Sequence, residues 1–232
     1  MLGRKKDDSN WISIADMMTA LMVIFMFIAI NYIMQVIEHT FVQDEIYNKL
    51  QEVFNEEIEK HEIELGPDGT IRFNSPNSDN LFETNDDKLT QGFKISLSSF
   101  IPKYWDVLTS DTTYFDYIKE IRIEGHADTK PPKNGGDSYL YNLDLSSRRA
   151  ASVLKYLREQ PVYKEASEKE KSRMDFLFTS IGFSYSRALN EEKNYVHLDS
   201  NKVVNDNLSR RVEFRIVTSN EKLIEAINKV NE

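Results

Sequence analysis

The 232-residue sequence predicts an α/β (α+β) domain, one mixed sheet with helices on one face, preceded by a single transmembrane helix and an amphipathic linker helix. Three observations predict it. Residues 11–37, WISIADMMTALMVIFMFIAINYIMQVI, are a nearly unbroken apolar run of membrane-crossing length. Residues 38–60 place apolar side chains at three- and four-residue steps, and the remainder alternates strand-like with helix-like segments. The expected organisation is a cytoplasmic tail over 1–10, a transmembrane helix over 11–37, a linker helix over 38–60 and one folded domain over 61–232.

Composition supports this division and excludes several function classes. A hydrophobic content of 40% suffices for one sizeable core plus an anchor. The net charge of −9 opposes nucleic-acid binding, because non-specific affinity for phosphates rests on Lys and Arg. With no cysteine, disulfide frameworks and thiolate metal sites are excluded, and an extracytoplasmic location is permitted.

Within 17–30 only Thr19 is polar, and the run onward to Ile37 supplies about 20 spanning residues, as a hydrocarbon core about 30 Å thick requires. A cleaved signal peptide would stop after about 7–15 apolar residues at a small-residue site, whereas this run continues through Tyr32, Ile33 and Met34. Arg4, Lys5 and Lys6 precede the span and Glu38, Asp44 and Glu45 follow it, so the N-terminus is expected in the cytoplasm and the rest of the chain outside. Asp16 admits two readings. It is either the N-cap of a helix starting at Met17, or an intramembrane carboxylate about 7 Å inside a helix that begins near Trp11. In the second reading it shares a face with Thr19, Ala20, Val23 and Phe27, as though a partner helix or hydrated path packed there. A carboxylate partly desolvated between helices has its pKa raised toward neutrality and can take up and release a proton. Thr19 either hydrogen-bonds the acid or an ion's water shell, or bonds its own backbone.

In 38–60, Phe41, Val42, Ile46, Leu50, Val53, Phe54 and Ile58 form one apolar face, suited to pairing with a second copy. Residues 62–65 and 70–73 flank Gly66-Pro67-Asp68-Gly69 and predict a hairpin. A loop and then a helix over about 88–108, kinked near Pro102, follow. YIKEIRIEGHAD predicts a strand through Ile118, Ile121 and Ile123; LSSRRAASVLKYLREQ predicts a helix N-capped around Ser146. RMDFLFTSIGFSY and RRVEFRIVTS predict further strands, while the charged stretch 164–173 extends the helical region or loops out.

Gly125-His126-Ala127-Asp128 closes a strand, and Asn142-x-x-Leu145-Ser146-x-x-Arg149-Ala150 opens the next helix. Asp128 and Arg149 there suit a zwitterion, the acid taking an ammonium and the planar guanidinium a carboxylate; the alternative is a plain salt bridge between them, the commoner arrangement. No catalytic or metal site is expected. His39, His61, His126 and His197 are scattered, no second histidine or carboxylate cluster completes a site around His126 and Asp128, and no G-x-S-x-G nucleophile motif occurs.

The string Trp11-x-x-x-Ala15-Asp16-Met17-Met18-Thr19-Ala20-Leu21-Met22 resembles the transmembrane helix of the B subunits of flagellar stators (MotB) and of the related Zorya anti-phage systems (ZorB). The resemblance implies that Asp16, with Thr19 beside it, translocates H+ or Na+, with no bound cofactor. It further implies a homodimer inside a pentameric ring of MotA/ZorA-like subunits in the bacterial inner membrane. It also offers 38–60 a role as a plug. Gly125-His126-x-Asp128, Asn142-x-x-Leu145-Ser146-x-x-Arg149-Ala150 and Arg210-Arg211-Val212-Glu213-Phe214 resemble the OmpA-like peptidoglycan-binding domain over roughly 80–217. This second resemblance implies that Asp128 and Arg149, with His126 and Asn142 nearby, bind the diaminopimelate of the wall peptide. Arg210 and Arg211 are expected in structural pairs. The ten residues before Trp11 are fewer than flagellar stators carry, which favours the defence branch.

Overall fold

Helix α1 (Lys5–Val53) runs unbroken through the apolar run and most of the expected linker, and α2 (Asn55–Glu59) follows after Phe54. A computed structural model of the chain describes residues 5–73, 81–132, 135–196 and 203–218, in two units that meet at Val42 and Gln43. In the first unit, Trp11–Met34 is 24 residues long and apolar enough to cross a membrane, with none of it buried against protein. Trp11, Met17 and Met22 are at least 70% exposed, a state that only lipid or partner helices make tolerable.

The second unit, Gln43–Ser219, holds the sheet. Its strands are β1 (Glu64–Leu65), β2 (Ile71–Phe73), β3 (Ile118–Gly125), β4 (Phe178–Gly182) and β5 (Val212–Thr218), in the order β1-β2-β5-β3-β4. Only β3 and β4 are parallel, so the sheet is mixed. The hairpin turn closes where Gly69 takes φ 75° and its N–H donates to Gly66 O at 3.0 Å, a left-handed conformation open to glycine at little cost.

Residues 43–60, expected as a linker, belong to this unit. Ile46, Leu50 and Phe54 are buried, and Phe54 lies 5.1 Å from the ring of Phe100, so the apolar face completes the chain's own core. Phe100 sits on α3 (Gln91–Thr109), whose Thr90 cap accepts the Phe93 N–H at 3.3 Å. Pro102 is accommodated inside the helix, which runs on to Thr109. Phe93, Leu97, Phe100, Tyr104 and Leu108 recur at three- and four-residue steps and bury one face. Around Phe100, the rings of Phe73, Tyr104 and Phe214 each stand 4.9 Å away, joining helix to sheet.

The strand β3 resolves an irregularity in its own pattern. Ile118 and Ile121 are three apart, the wrong interval for one face of a pleated strand. A register shift between Ile118 and Glu120 inserts the extra residue, and both isoleucines are buried.

Two expected boundaries are corrected. The helix after β3, α5 (Ser138–Glu159), starts eight residues before Ser146, capped by Asp137, whose carboxylate accepts the N–H groups of Tyr139 and Leu140 at 2.8 and 3.1 Å. Ser146 is buried in the helix interior and accepts the Ser184 N–H at 3.0 Å. The strand expected from Arg173 starts only at Phe178. Its first part is helix α7 (Glu168–Leu177), set by a Ser167/Glu170 capping box, after the short α6 (Pro161–Lys164). Two further short helices, α4 (Thr112–Tyr117) and α8 (Asp206–Ser209), precede β3 and β5.

Where α5 crosses the sheet, Gly125 of β3 and Gly182 of β4 are register partners. A Cβ on Gly125 would stand 2.2 Å from Ser146 O, and one on Gly182 would stand 2.3 Å from Ser147 Oγ and 2.4 Å from Ser147 N. Backbone therefore lies on backbone at this crossing. Gly125→Ala and Gly182→Ala are each expected to destabilise the fold by about 1–3 kcal/mol or more, because the obstacle is main chain that cannot rotate away. Gly92→Ala, with nothing within 4 Å, is the neutral control in the same denaturation experiment. Equal midpoints for all three variants would refute the close crossing.

Candidate functional site

The crossing of α5 sets the site. Asn142, Leu145 and Arg149 follow one another at three- and four-residue spacing on a face of α5, and all three line a cavity of about 900 Å³ with Asp128, Lys130 and Arg210. Asn142 and Arg149 thus line the cavity from inside the helix, not from its N-terminus as expected. Asn142 is buried and its Nδ2 donates to Lys130 O at 2.9 Å, which ties the segment after β3 to the helix.

Asp128 and Arg149 face the same cavity without pairing with each other. The Asp128 Oδ2 is held by Arg210 Nη1 at 2.7 Å, with Lys130 Nζ at 3.8 Å, and its Oδ1 accepts the Lys130 N–H at 3.2 Å. The plain Asp128–Arg149 salt bridge is replaced by an Asp128–Arg210 pair. Arg210, placed among structural residues in the sequence reading, lines the cavity. Arg149 donates through Nε to Asp86 O at 3.0 Å, and its guanidinium lies 5.0 Å from the Phe82 ring. Burial lowers its pKa, Asp128 opposes that shift and Arg210 adds to it; a guanidinium stays cationic regardless. The arrangement offers one carboxylate and a separate planar cation, with Lys130 at the rim.

Another part of the cavity wall comes from a turn within the stretch expected as loop. Glu83 N donates to Lys88 O at 2.9 Å and Asp86 N to Glu83 O at 3.0 Å, with Asn85 in the left-handed region at φ 57°. Asp87 fastens this turn to α5, accepting from Arg148 Nη1 at 2.7 Å and Ser152 Oγ at 3.2 Å. Burial would raise the Asp87 pKa, but these hydrogen bonds and Arg148 hold it below the ordinary value. The sequence signal available was Asn85-Asp86-Asp87, turn formers between apolar residues.

His126 does not join the cavity. It is buried, stacks on Phe183 at 5.3 Å, and turns Nε2 toward Glu124 Oε2 and Glu213 Oε2 at 3.7 and 3.8 Å. The expectation that no carboxylate cluster surrounds it is corrected, because the β3–β5 register sets Glu124 directly opposite Glu213. Four guanidiniums answer the two acids: Arg211 and Arg72 on Glu213 at 2.6 and 2.9 Å, Arg187 and Arg215 on Glu124 at 3.1 and 3.5 Å. A divalent cation would meet an excess of positive charge here, so the donor set does not fit a metal. His197 lies outside the described residues.

Of the residues singled out in the span, Asp16 lies twelve residues into α1, which begins at Lys5. The N-cap reading is thereby overturned. The Thr19 hydroxyl donates to Ala15 O at 2.8 Å, the backbone alternative of the two considered for it.

The buried imidazole carries a pH consequence. Desolvation, and then Arg211, push the His126 pKa down from 6.5 to about 4, against the pull of the two glutamates. The unfolded chain therefore binds the proton first. Stability is complete above the unfolded value and falls as pH drops from about 6.5 to about 4, by an amount on the order of 3 kcal/mol. Burial alone would raise the Glu213 pKa, but Arg211 and Arg72 hold it below the glutamate range, so its contribution begins to be lost only as pH falls through the ordinary value of 4.5. Denaturation midpoints measured at pH 7, 6, 5 and 4 are expected to fall for the wild type and to fall less for His126→Gln; parallel curves would remove His126 as the source.

Comparison with known proteins agrees with this architecture. Residues 81–174 match the OmpA family. A Zorya protein ZorB from Escherichia coli strain Crooks is 31% identical over 238 residues, 97% of this chain and 94% of that one. A ZorB from a second Escherichia coli strain is 26% identical over 228 residues, covering 92% and 83%. Among solved structures, the periplasmic domain of Helicobacter pylori MotB is 16% identical, covers 70% of this chain and 85% of that one, and has a TM-score of 0.44. With the apolar helix, the OmpA match and 31% identity over nearly the whole length of both chains in view, the chain belongs to the ZorB family of MotB-like proteins.

Proposed function

We propose that this chain is the B subunit of an ion-driven membrane motor of the MotA/MotB kind, serving a Zorya-type anti-phage system. It holds the complex to peptidoglycan through Asp128 and Arg149 and passes protons or sodium ions by Asp16. The observation that carries the reading is the cavity in which Asp128 and Arg149 face one space as separate charges. Such a pair grips a group with one ammonium and one carboxylate, as diaminopimelate has in the wall peptide.

Asp16 supports the ionic half of the reading. Inside a helix whose 24-residue apolar stretch is unburied in the single chain, a carboxylate is costly in lipid and needs a partner or water. One helix cannot enclose a path, so the working unit is a dimer of this chain inside a ring of five A-type subunits, in the inner membrane. The basic residues before the span put the N-terminus in the cytoplasm and the OmpA-like domain in the periplasm. A motor that is not held still against the wall would turn itself, which is why one chain carries both parts.

Two measurements test the halves separately. Asp16→Asn, isosteric but unable to cycle a proton, is expected to abolish protection against phage while the chain still inserts and co-purifies with its A subunit. Full protection by that variant would leave a passive wall tether. Asp128→Ala and Arg149→Ala are each expected to weaken retention on isolated sacculi by about 1.5–3 kcal/mol, roughly tenfold or more. The double variant should lose less than the sum, since both groups hold one moiety. Wild-type retention by the double variant would remove the pocket from the anchor.

A further inference from the structure

The ion pair between Asp128 and Arg210 bears on what the pocket accepts. Asp128 has one oxygen committed to the main chain, Oδ1 to the Lys130 N–H at 3.2 Å, and the other, Oδ2, against Arg210 Nη1 at 2.7 Å. The Asp128 side chain is 12% exposed and that of Arg210 27%, so the pair sits at the cavity wall, partly shielded from solvent. Any ammonium group seeking Asp128 must contend with a cation already in place. Arg210 also has an alternative acceptor, since its Nη2 donates to Asn207 Oδ1 at 2.5 Å. It can yield Oδ2 and keep a hydrogen-bonded partner, which keeps its displacement inexpensive.

We propose that Arg210 is a specificity-determining residue of this pocket, an internal cation that competes with the ligand's ammonium for Asp128 and so excludes ligands that bring an ammonium alone. The inference rests on the reading of Asp128 and Arg149 as an ammonium and carboxylate pair. A simple amine gains only what it takes from Arg210, and the exchange of one cation for another is nearly balanced. A zwitterion gains in addition the Arg149 fork, which Asp128 does not occupy and which Asp86 O and the Phe82 face hold in position. Selectivity arises because the positive charge of Arg210 penalises a bare ammonium in full, whereas a zwitterion carries on the same carbon a carboxylate that offsets that repulsion, and it gains Arg149 besides. Arg149 therefore decides binding strength, and Arg210 decides how far an amine without a carboxylate is refused.

The test uses the full chain in detergent and two probes of the same carbon spacing, meso-diaminopimelate and 1,5-diaminopentane, which lacks both carboxylates. Titration calorimetry gives the ratio of their affinities. Arg210→Gln is expected to strengthen diaminopentane binding roughly fivefold, the scale of a partly exposed ion pair, and diaminopimelate binding by less, so that the ratio falls. Arg210→Lys retains a cation and should stay near the wild-type ratio. Arg210→Met, which keeps the apolar stem, serves if glutamine impairs folding. An unchanged or increased ratio in the neutral variants, with binding still abolished by Asp128→Asn, overturns the competitor role and leaves the wall reading intact. Wild-type binding of both probes by Asp128→Asn overturns the wall reading itself, and the inference with it.

Discussion

Two glycines that face each other across β3 and β4 allow the main chain of α5 to rest directly on the sheet, and the placement of the cavity follows from that contact. Gly125 and Gly182 lie under Ser146 and Ser147, where any side chain would collide with helix backbone. The helix is seated further by the Ser146 hydroxyl, which accepts the Ser184 N–H just beyond β4. With Ser146 fixed, helical geometry puts Asn142 one turn before it and Arg149 one turn after, on the side where β3 runs out into Asp128. Glycine is an expensive strand residue in conformational entropy, and here the return is proximity. A bulkier residue at either site would move every α5 group in the cavity together.

On the strand face turned away from α5 the problem is one of charge. The β3–β5 register brings Glu124 and Glu213 opposite each other, both fully buried, a pairing that is unfavourable unless answered. Arg72, Arg187, Arg211 and Arg215 answer it from four positions in the chain. Removing one arginine would leave a buried carboxylate short of its partner, a larger loss than the net worth of any one pair. His126 belongs to this network, held neutral by burial and stacked on Phe183 beneath Arg187, whose guanidinium lies 3.7 Å from the same ring.

The cavity and the span divide the proposed work. Anchoring needs rigidity, and the cavity is framed by the seated helix, by the Asp87 clamp on the turn 83–88 and by the Asn142 tie to Lys130. Ion carriage needs a carboxylate that can change its protonation, and Asp16 lies within a helix that has no protein around it in the single chain. In the proposed motor, other subunits supply its environment, and the ion chemistry is a property of the assembly. The segment from Ile46 to Phe54 connects the two functions through covalent continuity, since α1 leaves the apolar stretch and ends with side chains in the domain core.

Much of this was legible in the residues because periodicity and turn chemistry are local. The apolar run, the hairpin about Gly66–Gly69, the strand through Ile121 and Ile123, and the joint presence of Asp128, Asn142 and Arg149 were all read from short stretches of sequence. What remained undecided depended on contacts between distant segments. The start of α5 at Ser138 was hidden because the better-looking apolar pattern begins seven residues later, and α7 was hidden because its apolar end merges with β4. The role of His126 could not be read from a two-residue interval to Asp128, since the glutamate that crowds it comes partly from β5, 87 positions on. The partner of Asp128 was likewise a matter of tertiary structure: the motif offered Arg149, whereas the fold puts Arg210 on the carboxylate and turns Arg149 toward Asp86. Sequence alone determined which chemical groups and which elements exist here; the long-range register and the glycine-seated crossing decided which of those groups share a cavity, because a side chain's partner is set by where distant backbones meet.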